Sequence, residues 1–411
     1  MRIIVAGAGI GGLVTAMKLH SRGHDVVIYE SVRELAPLGV GINILPHAMA
    51  VLDTLGMVEP LLGLGVATEE LAFFNRHGQL IWREPRGRHA GYPVPQISIH
   101  RGRLQLALFE EAKRVLGDDA IVLGHAITGF EQSPGTVTVE LLDRQNDRTV
   151  TDTAELLVGA DGIHSTVRRH FVPDEGPPQW SGNMLWRATS QHEPYLTGRS
   201  MFMAGHRPHK FVAYPITEPE IGLQTINWIA ELDWTAHGMP ARESWNRVVE
   251  RSLFDAEFSD WVFDWLDIPE LIAGADTVLE FPMVDRDPLE RWTHDRVTLL
   301  GDAAHPMYPI GSNGASQAIL DAQALADALS EEVAPGGGGV DVALERYDVE
   351  RRTATGAIVL ANRGHGPEVV MDWAEERAPE GFDSVSDVFA EGELEAVSDR
   401  YKRVAGFVRP T

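Results

Sequence analysis

The sequence predicts an α/β protein: a lobe built on a parallel sheet, an inserted mixed β-sheet and helices at the C-terminus. Three observations predict it. An apolar strand at the N-terminus runs into a glycine-rich turn and a helix. Short strands dominate residues 176–276. Helical patterning takes over from about Gln317 and continues, after a glycine-rich break, through the last 70 or so residues.

The first unit is the most specific. Arg2 to Ala6 is short, apolar and β-branched, as a buried parallel strand should be. It leads into Gly7-Ala-Gly9-Ile-Gly-Gly12, a helix from Leu13 to Leu19, and a second strand, Asp25 to Tyr29, closed by Glu30. Gly7 permits the tight turn, Gly9 lets a diphosphate reach the backbone, and Gly12 lets helix and strand pack closely. The helix N-terminus faces the diphosphate, and Glu30 accepts hydrogen bonds from a ribose. A lone GxGxxG is weak evidence; strand, glycines, helix, strand and acid in this order define a Rossmann-type dinucleotide site. Glu30 would repel a 2′-phosphate, which leaves FAD or NAD there.

Two later segments repeat the pattern of a strand ending in a turn. Leu156 to Ala160 runs into Asp161-Gly162 and a helix start near Arg168; Arg296 to Leu300 runs into Gly301-Asp302. The second is followed by a loop, Pro309 to Ser316, and an amphipathic helix from about Gln317 to Leu329. Taken alone, Asp161 and Asp302 read as helix caps.

Together the three segments resemble the class A flavoprotein aromatic hydroxylases of the para-hydroxybenzoate hydroxylase type, which carry GxGxxG, DG and GD motifs in this order. The resemblance runs from residue 1 to about 350. It implies noncovalent FAD and NAD(P)H as a transient co-substrate, because only one GxGxxG unit is present. Asp302 then binds the ribitol, and Gly311, Asn313, Gly314 and Ala315 lie at the flavin pyrimidine, where a helix N-terminus favours negative charge. Arg101, in Ser98 to Gln105, contacts FAD, and Ile127 offers a backbone contact to adenine. Asp161 supports FAD and coenzyme engagement, and Arg168 either caps its helix or steers the coenzyme. The implied chemistry hydroxylates an aromatic carbon with O2 through a flavin C4a-hydroperoxide; the cofactor carries it, and no protein acid or base is required. Pro37 to Asn43, Trp82 to Gly87, Phe281 to Pro288 and Gly311 to Asp321 are similar to the 5-methylphenazine-1-carboxylate monooxygenase branch, which points to a carboxylated polycyclic substrate and to decarboxylation. A monocyclic hydroxybenzoate-type hydroxylase and a non-catalytic flavin-binding regulator are the alternatives.

The flavin lobe is expected from 1–74, 97–176 and 277–345, the substrate-covering sheet from 75–96 and 176–276, and C-terminal helices from 346–411. A hairpin from Leu71 to Trp82 should join that sheet, and Ala334 to Gly339 reads as a flexible connector. Trp186, Val212, Tyr214, Trp228, Phe281, Met283 and Pro309 are candidates for a flat apolar slot; core packing is the plain alternative for each. Arg187 or a backbone N–H is the candidate carboxylate partner.

Composition sets the bounds. Among 411 residues the formal charge is −25, which disfavours nucleic acid and anionic membranes as partners. There are no cysteines, hence no disulfide, thiolate metal site or sulfur-linked flavin. No segment has the roughly 18 apolar residues of a membrane span. Neither metal-ligand spacing nor a G-x-S-x-G context occurs, and the W-x-W-x-I-P segment of flavin halogenases is missing. A cytoplasmic monomer or homodimer is expected.

Overall fold

In a computed structural model the described residues are 1–37, 39–238, 247–334 and 336–406. Leu38, within one of the phenazine-branch segments, Pro335 of the connector and the last five residues of the C-terminal segment therefore lie outside them. No described helix is long and apolar enough to cross a membrane.

The core of the nucleotide lobe is a five-stranded parallel sheet in the order 297–299, 156–159, 2–6, 25–30, 121–123. Its strands are almost wholly apolar because both faces are covered, one by helices and the other by the three-stranded antiparallel sheet 125–133, 136–143 and 148–154. The helices Ile10–Ser21, Arg101–Leu116 and Gly314–Glu332 bury aliphatic side chains against it. The strands at 2–6, 156–159 and 297–299 are direct neighbours, so the three turns that follow them emerge side by side at one sheet edge. That edge, at the carboxyl ends of the strands, is where open α/β sheets hold ligands.

The second large sheet has eight strands, in the order 247–249, 278–285, 179–192, 224–233, 209–215, 200–206, 70–74, 80–85. The 70–74/80–85 hairpin joins through a parallel pairing with Ser200–His206. Two expected boundaries need correction. Residues 70–74 and 278–285, assigned from sequence to the flavin lobe, are strands of this sheet, held by ladder hydrogen bonds to 200–206 and 179–192.

Both faces of the sheet are covered. One carries a second core, in which Trp186, Phe202, Phe211 and Trp228 pack against Phe254, Phe258 and Trp261. The other faces the nucleotide lobe at its centre. At its outer end it is covered by the C-terminal segment, where Val370, Met371, Leu394 and Val397 pack on Leu71, Phe73, Met201 and Met203. Helices 340–363, 369–377 and 393–405 each bury an apolar face against the rest of the protein.

A candidate flavin and substrate cavity

Between the two sheets lies a cavity of about 340 Å³. Its near wall is built from the three turns: Gly9 to Gly11, Ala160 and Gly162, and Leu300 to Asp302. The loop Pro309, Ile310, Ser312 to Ala315 closes one side, and Arg101 enters from the start of its helix. The far wall is the eight-stranded sheet, through Leu185, Arg187, Met201, Met203, Val212, Tyr214, Ile229 and Met283.

The glycines divide by role. A Cβ on Gly12 would collide with the Gly7 carbonyl oxygen, so Gly12 serves the packing of helix on turn. A Cβ on Gly9 would meet nothing within 4 Å. The space above Gly9 is open, as a backbone that receives a diphosphate requires. Glu30 is fixed at the end of its strand: Oε2 accepts from Ala8 N at 2.8 Å and Oε1 from Val32 N at 2.9 Å. Gln105 Nε2 donates to Ala8 O at 2.9 Å, tying the Arg101 helix to the glycine turn.

Asp302 is exposed to the cavity yet enclosed by protein at longer range. Burial raises its carboxyl pKa above the ordinary value, while His305 and Arg101 pull it down. The turn that carries it is anchored by Asp321, whose Oδ2 accepts from Gly301 N at 3.0 Å and from His305 Nε2 at 2.6 Å. Arg351 Nε donates to the other oxygen at 2.7 Å. Burial opposes the charge on Asp321, but His305 and Arg351 outweigh it and hold the carboxyl down at about 2. Asn313 is fully buried beside the loop; its Nδ2 donates to Tyr401 Oη at 2.7 Å, and its Oδ1 has no protein partner.

These features fit FAD. There is open space at Gly9, a carboxylate facing the cavity at Asp302, and an orphaned acceptor at Asn313. The N-terminus of a 19-residue helix begins at Gly314, with Gly314 and Ala315 on the wall. Ile127 is placed differently, in the strand His125–Ser133 and packed on the nucleotide-lobe core, off the cavity wall.

The DG motif departs from its expected role. Asp161 is turned onto the helix Thr166–Phe171, accepting from Ser165 Oγ at 2.5 Å and Thr166 N at 2.7 Å. Its carboxylate is thus committed to a helix end, the plainer of the two readings. Arg168 does not cap its helix. Its buried guanidinium pairs with Glu175 and donates to Ala303 O (3.1 Å) and Ala304 O (2.8 Å), stapling the DG turn to the GD turn.

Of the seven slot candidates, Val212, Tyr214, Met283 and Pro309 line the cavity. Trp186 and Trp228 do not. Side chains alternate along a strand, and the cavity takes the odd positions 185, 187, 229 and 231, so 186 and 228 point into the opposite core. Trp186 stacks on Phe254 at 4.9 Å, and Trp228 Nε1 donates to Ser190 Oγ at 2.9 Å. Phe281 is on the cavity face but packs behind it with Leu185, Met283 and Tyr308, under the Arg187 guanidinium at 5.6 Å. The slot is lined by methionines rather than by stacked aromatics.

Arg187 is a cation on this wall. Its Nη2 donates to Gly41 O at 3.0 Å, Tyr214 lies beside it, and its Nε is sealed from solvent without a partner. Gly41 is held in turn by Asn227 Oδ1, which accepts from Gly41 N at 2.6 Å. Burial lowers the Arg187 pKa, and no described carboxylate compensates it. Burial also pushes Tyr214 up to about 12 against the pull of Arg187, so its phenol stays neutral. Lys210, Glu231 and Glu368 complete the wall, none of them singled out by sequence. A charged residue inside a strand such as 209–215 reads as a solvent-facing position until the covering segment, 158 residues further on, is in place.

A parallel α/β sheet with a three-turn crevice, roofed by a mixed sheet, defines a dinucleotide-binding enzyme whose second ligand is enclosed against the first. The family model described as FAD binding domain matches residues 1–361. The chain belongs to this family and is an FAD-dependent aromatic-ring monooxygenase that uses NAD(P)H. It is similar to phenazine 1,6-dicarboxylic acid hydroxylase PhzS of Lysobacter antibioticus, 43% identical over 366 residues, 88% of this chain and 89% of that protein. It is 30% identical to 3-hydroxybenzoate 6-hydroxylase of Polaromonas naphthalenivorans over 89% of this chain and 87% of that one. Among solved structures, a salicylate hydroxylase substrate complex shares the fold with a TM-score of 0.74 at 21% identity, covering 100% of this chain and 98% of the other.

Proposed function

We propose that the substrate is a fused aromatic carboxylic acid of the phenazine-carboxylate kind, hydroxylated at the carbon that bears the carboxylate. The carrying observation is Arg187, an enclosed cation with no carboxylate partner among the described residues, on the wall opposite the flavin turns. Bound FAD supplies O2 activation and delivery of an electrophilic hydroxyl. The chain's own residues bind and orient. Arg187 fixes the carboxylate, and Met201, Met203 and Met283 give the ring a polarisable apolar bed. The sheet roof keeps water out. As the ring C–O bond forms, the bond to the carboxylate breaks, its electron pair restores aromaticity, and CO2 leaves. Similarity to the phenazine hydroxylase supports the ring class.

Gly7, Gly9, Gly12, Glu30, Arg101, Asp302, Gly311, Asn313, Gly314 and Ala315 are the residues we propose for FAD, with Asp161 and Ile127 acting indirectly. NAD(P)H visits transiently. The protein acts in the cytoplasm, as a monomer or homodimer.

Product analysis with phenazine-1-carboxylate tests the reading. The expected product has lost CO2 and gained a hydroxyl, and Arg187→Met should raise KM for the acid by roughly 10²-fold, the scale of a lost charged hydrogen bond. A product that keeps its carboxylate, or preference for monocyclic phenols, would remove the decarboxylative reading and leave the hydroxylase class standing.

A further inference from the structure

The far end of the substrate wall holds three ionisable side chains in direct contact. Lys210 Nζ lies 2.8 Å from Glu231 Oε2 and 2.5 Å from Glu368 Oε2, and all three residues are at most 4% exposed. Glu231 is fixed further by Asn183 Nδ2, which donates to Oε1 at 2.7 Å. Lys210 and Glu231 are cross-strand partners, while Glu368 reaches in from the turn before the helix Val369–Arg377. Burial alone would lower the lysine pKa, but the two carboxylates hold it well above its ordinary value. The group is formally one cation between two anions, a net charge of −1, on the cavity wall that also carries Arg187.

Its position relative to Arg187 follows from the strand register. Arg187 opposes Ile229, which opposes Val212; Glu231 and Lys210 lie one same-face row along from that pair. With strands about 4.8 Å apart and same-face rows about 6.8 Å apart, the Arg187 and Lys210 backbones are separated by roughly 12 Å. The Arg187 head turns the other way, toward Gly41 and the Asn227 row. The wall thus has a cationic pole and an anionic pole at opposite ends.

We infer that the Glu231–Lys210–Glu368 cluster is a specificity determinant that rejects a second carboxylate at the substrate's far edge and favours a hydrogen-bond donor or a positively charged ring atom there. The inference rests on the aromatic-acid reading of the same cavity. A carboxylate brought to the cluster meets two anions and one cation already shared between them, in a setting where water cannot screen the repulsion. A neutral or cationic edge finds carboxylate oxygens instead.

The test uses the FAD-loaded enzyme and a matched pair of rings, phenazine-1-carboxylate and phenazine-1,6-dicarboxylate, with binding read from the perturbed flavin spectrum. The monocarboxylate should bind wild type at least about tenfold more tightly, given the usual cost of opposing like charges in an interface. Glu368→Gln removes one anion and should narrow the gap. Glu231→Gln with Glu368→Gln leaves Lys210 alone and should invert the preference. Glutamine preserves shape, and an unchanged visible spectrum shows that each variant still holds FAD. Equal or tighter binding of the dicarboxylate by wild type overturns the specificity role and leaves the aromatic-acid reading intact. Binding of neither ring overturns both.

Discussion

At the scale of single residues, the site is a set of side chains whose surroundings assign their work. Gly9 opens onto empty space and Asp302 faces it. Gly9→Val should therefore fold and yet lose most of its FAD, and Asp302→Ala should weaken FAD binding without loss of secondary structure; absorbance at the flavin bands against circular dichroism measures both. Full occupancy in Gly9→Val would remove the diphosphate assignment. Two histidines contribute to the acid limit. Burial lowers His47 to about 3, and burial together with His206 lowers His209 to about 4. Each is neutral in the fold and titrates near 6.5 when unfolded, so the unfolded chain takes up more protons below that pH. Their contribution is intact above about pH 6.5 and falls as pH drops toward 4, at up to about 1.4 kcal/mol per pH unit for each histidine. Melting curves between pH 7 and 5 should slope accordingly, and His47→Asn with His209→Asn should flatten that slope. The glycines and Asp302 were legible in the sequence because their spacing is tied to a local turn. Arg168 was not, since its partners at 303 and 304 are more than 130 residues away.

At the scale of elements, the last helix is the piece that local reading undervalues. Glu393–Ala405 places Tyr401 against the flavin-side loop, where its hydroxyl accepts from Asn313 Nδ2 and lies 2.9 Å from Asn362 Oδ1. Lys402 Nζ, 2.6 Å from Glu84 Oε2, ties the same helix to the hairpin of the roof. Tyr401→Phe should leave the fold intact and loosen the 311–315 loop, lowering FAD affinity by roughly 1–3 kcal/mol, the usual cost of an unsatisfied buried amide. Fluorescence titration of the apoprotein with FAD would show it; unchanged affinity would make the contact purely structural. The strands of the roof explain the failure over Trp186 and Trp228. Both faces of 179–192 and 224–233 are buried over much of their length, so hydrophobicity does not alternate and the inward face is not readable from composition. Only the register against neighbouring strands decides it.

At the scale of the whole molecule, charge is the dominant variable. A protein of net −25 repels a nicotinamide dinucleotide at long range. The bimolecular rate of flavin reduction should therefore rise as salt increases from about 0.01 to 0.15 M, where the screening length shrinks from about 30 to about 8 Å. Stopped-flow reduction at saturating substrate measures it. A rate that falls with salt would point instead to the hollow of about 300 Å³ where His164, Arg168, Arg169 and Arg286 surround the single acid Glu175.

The alternation of the roof strands also bears on how such an enzyme changes over time. Positions 185, 201, 203, 212 and 229 face the cavity, while 184, 186, 202, 204, 211, 228 and 230 build the core behind it. Adjacent codons therefore answer to different selective pressures. A substitution at position 185 or 229 can retune which ring is accepted while the aromatic core behind it keeps the sheet in place. A lineage can thus drift between ring acids one residue at a time, with the scaffold's tolerance for change held in reserve on the other face.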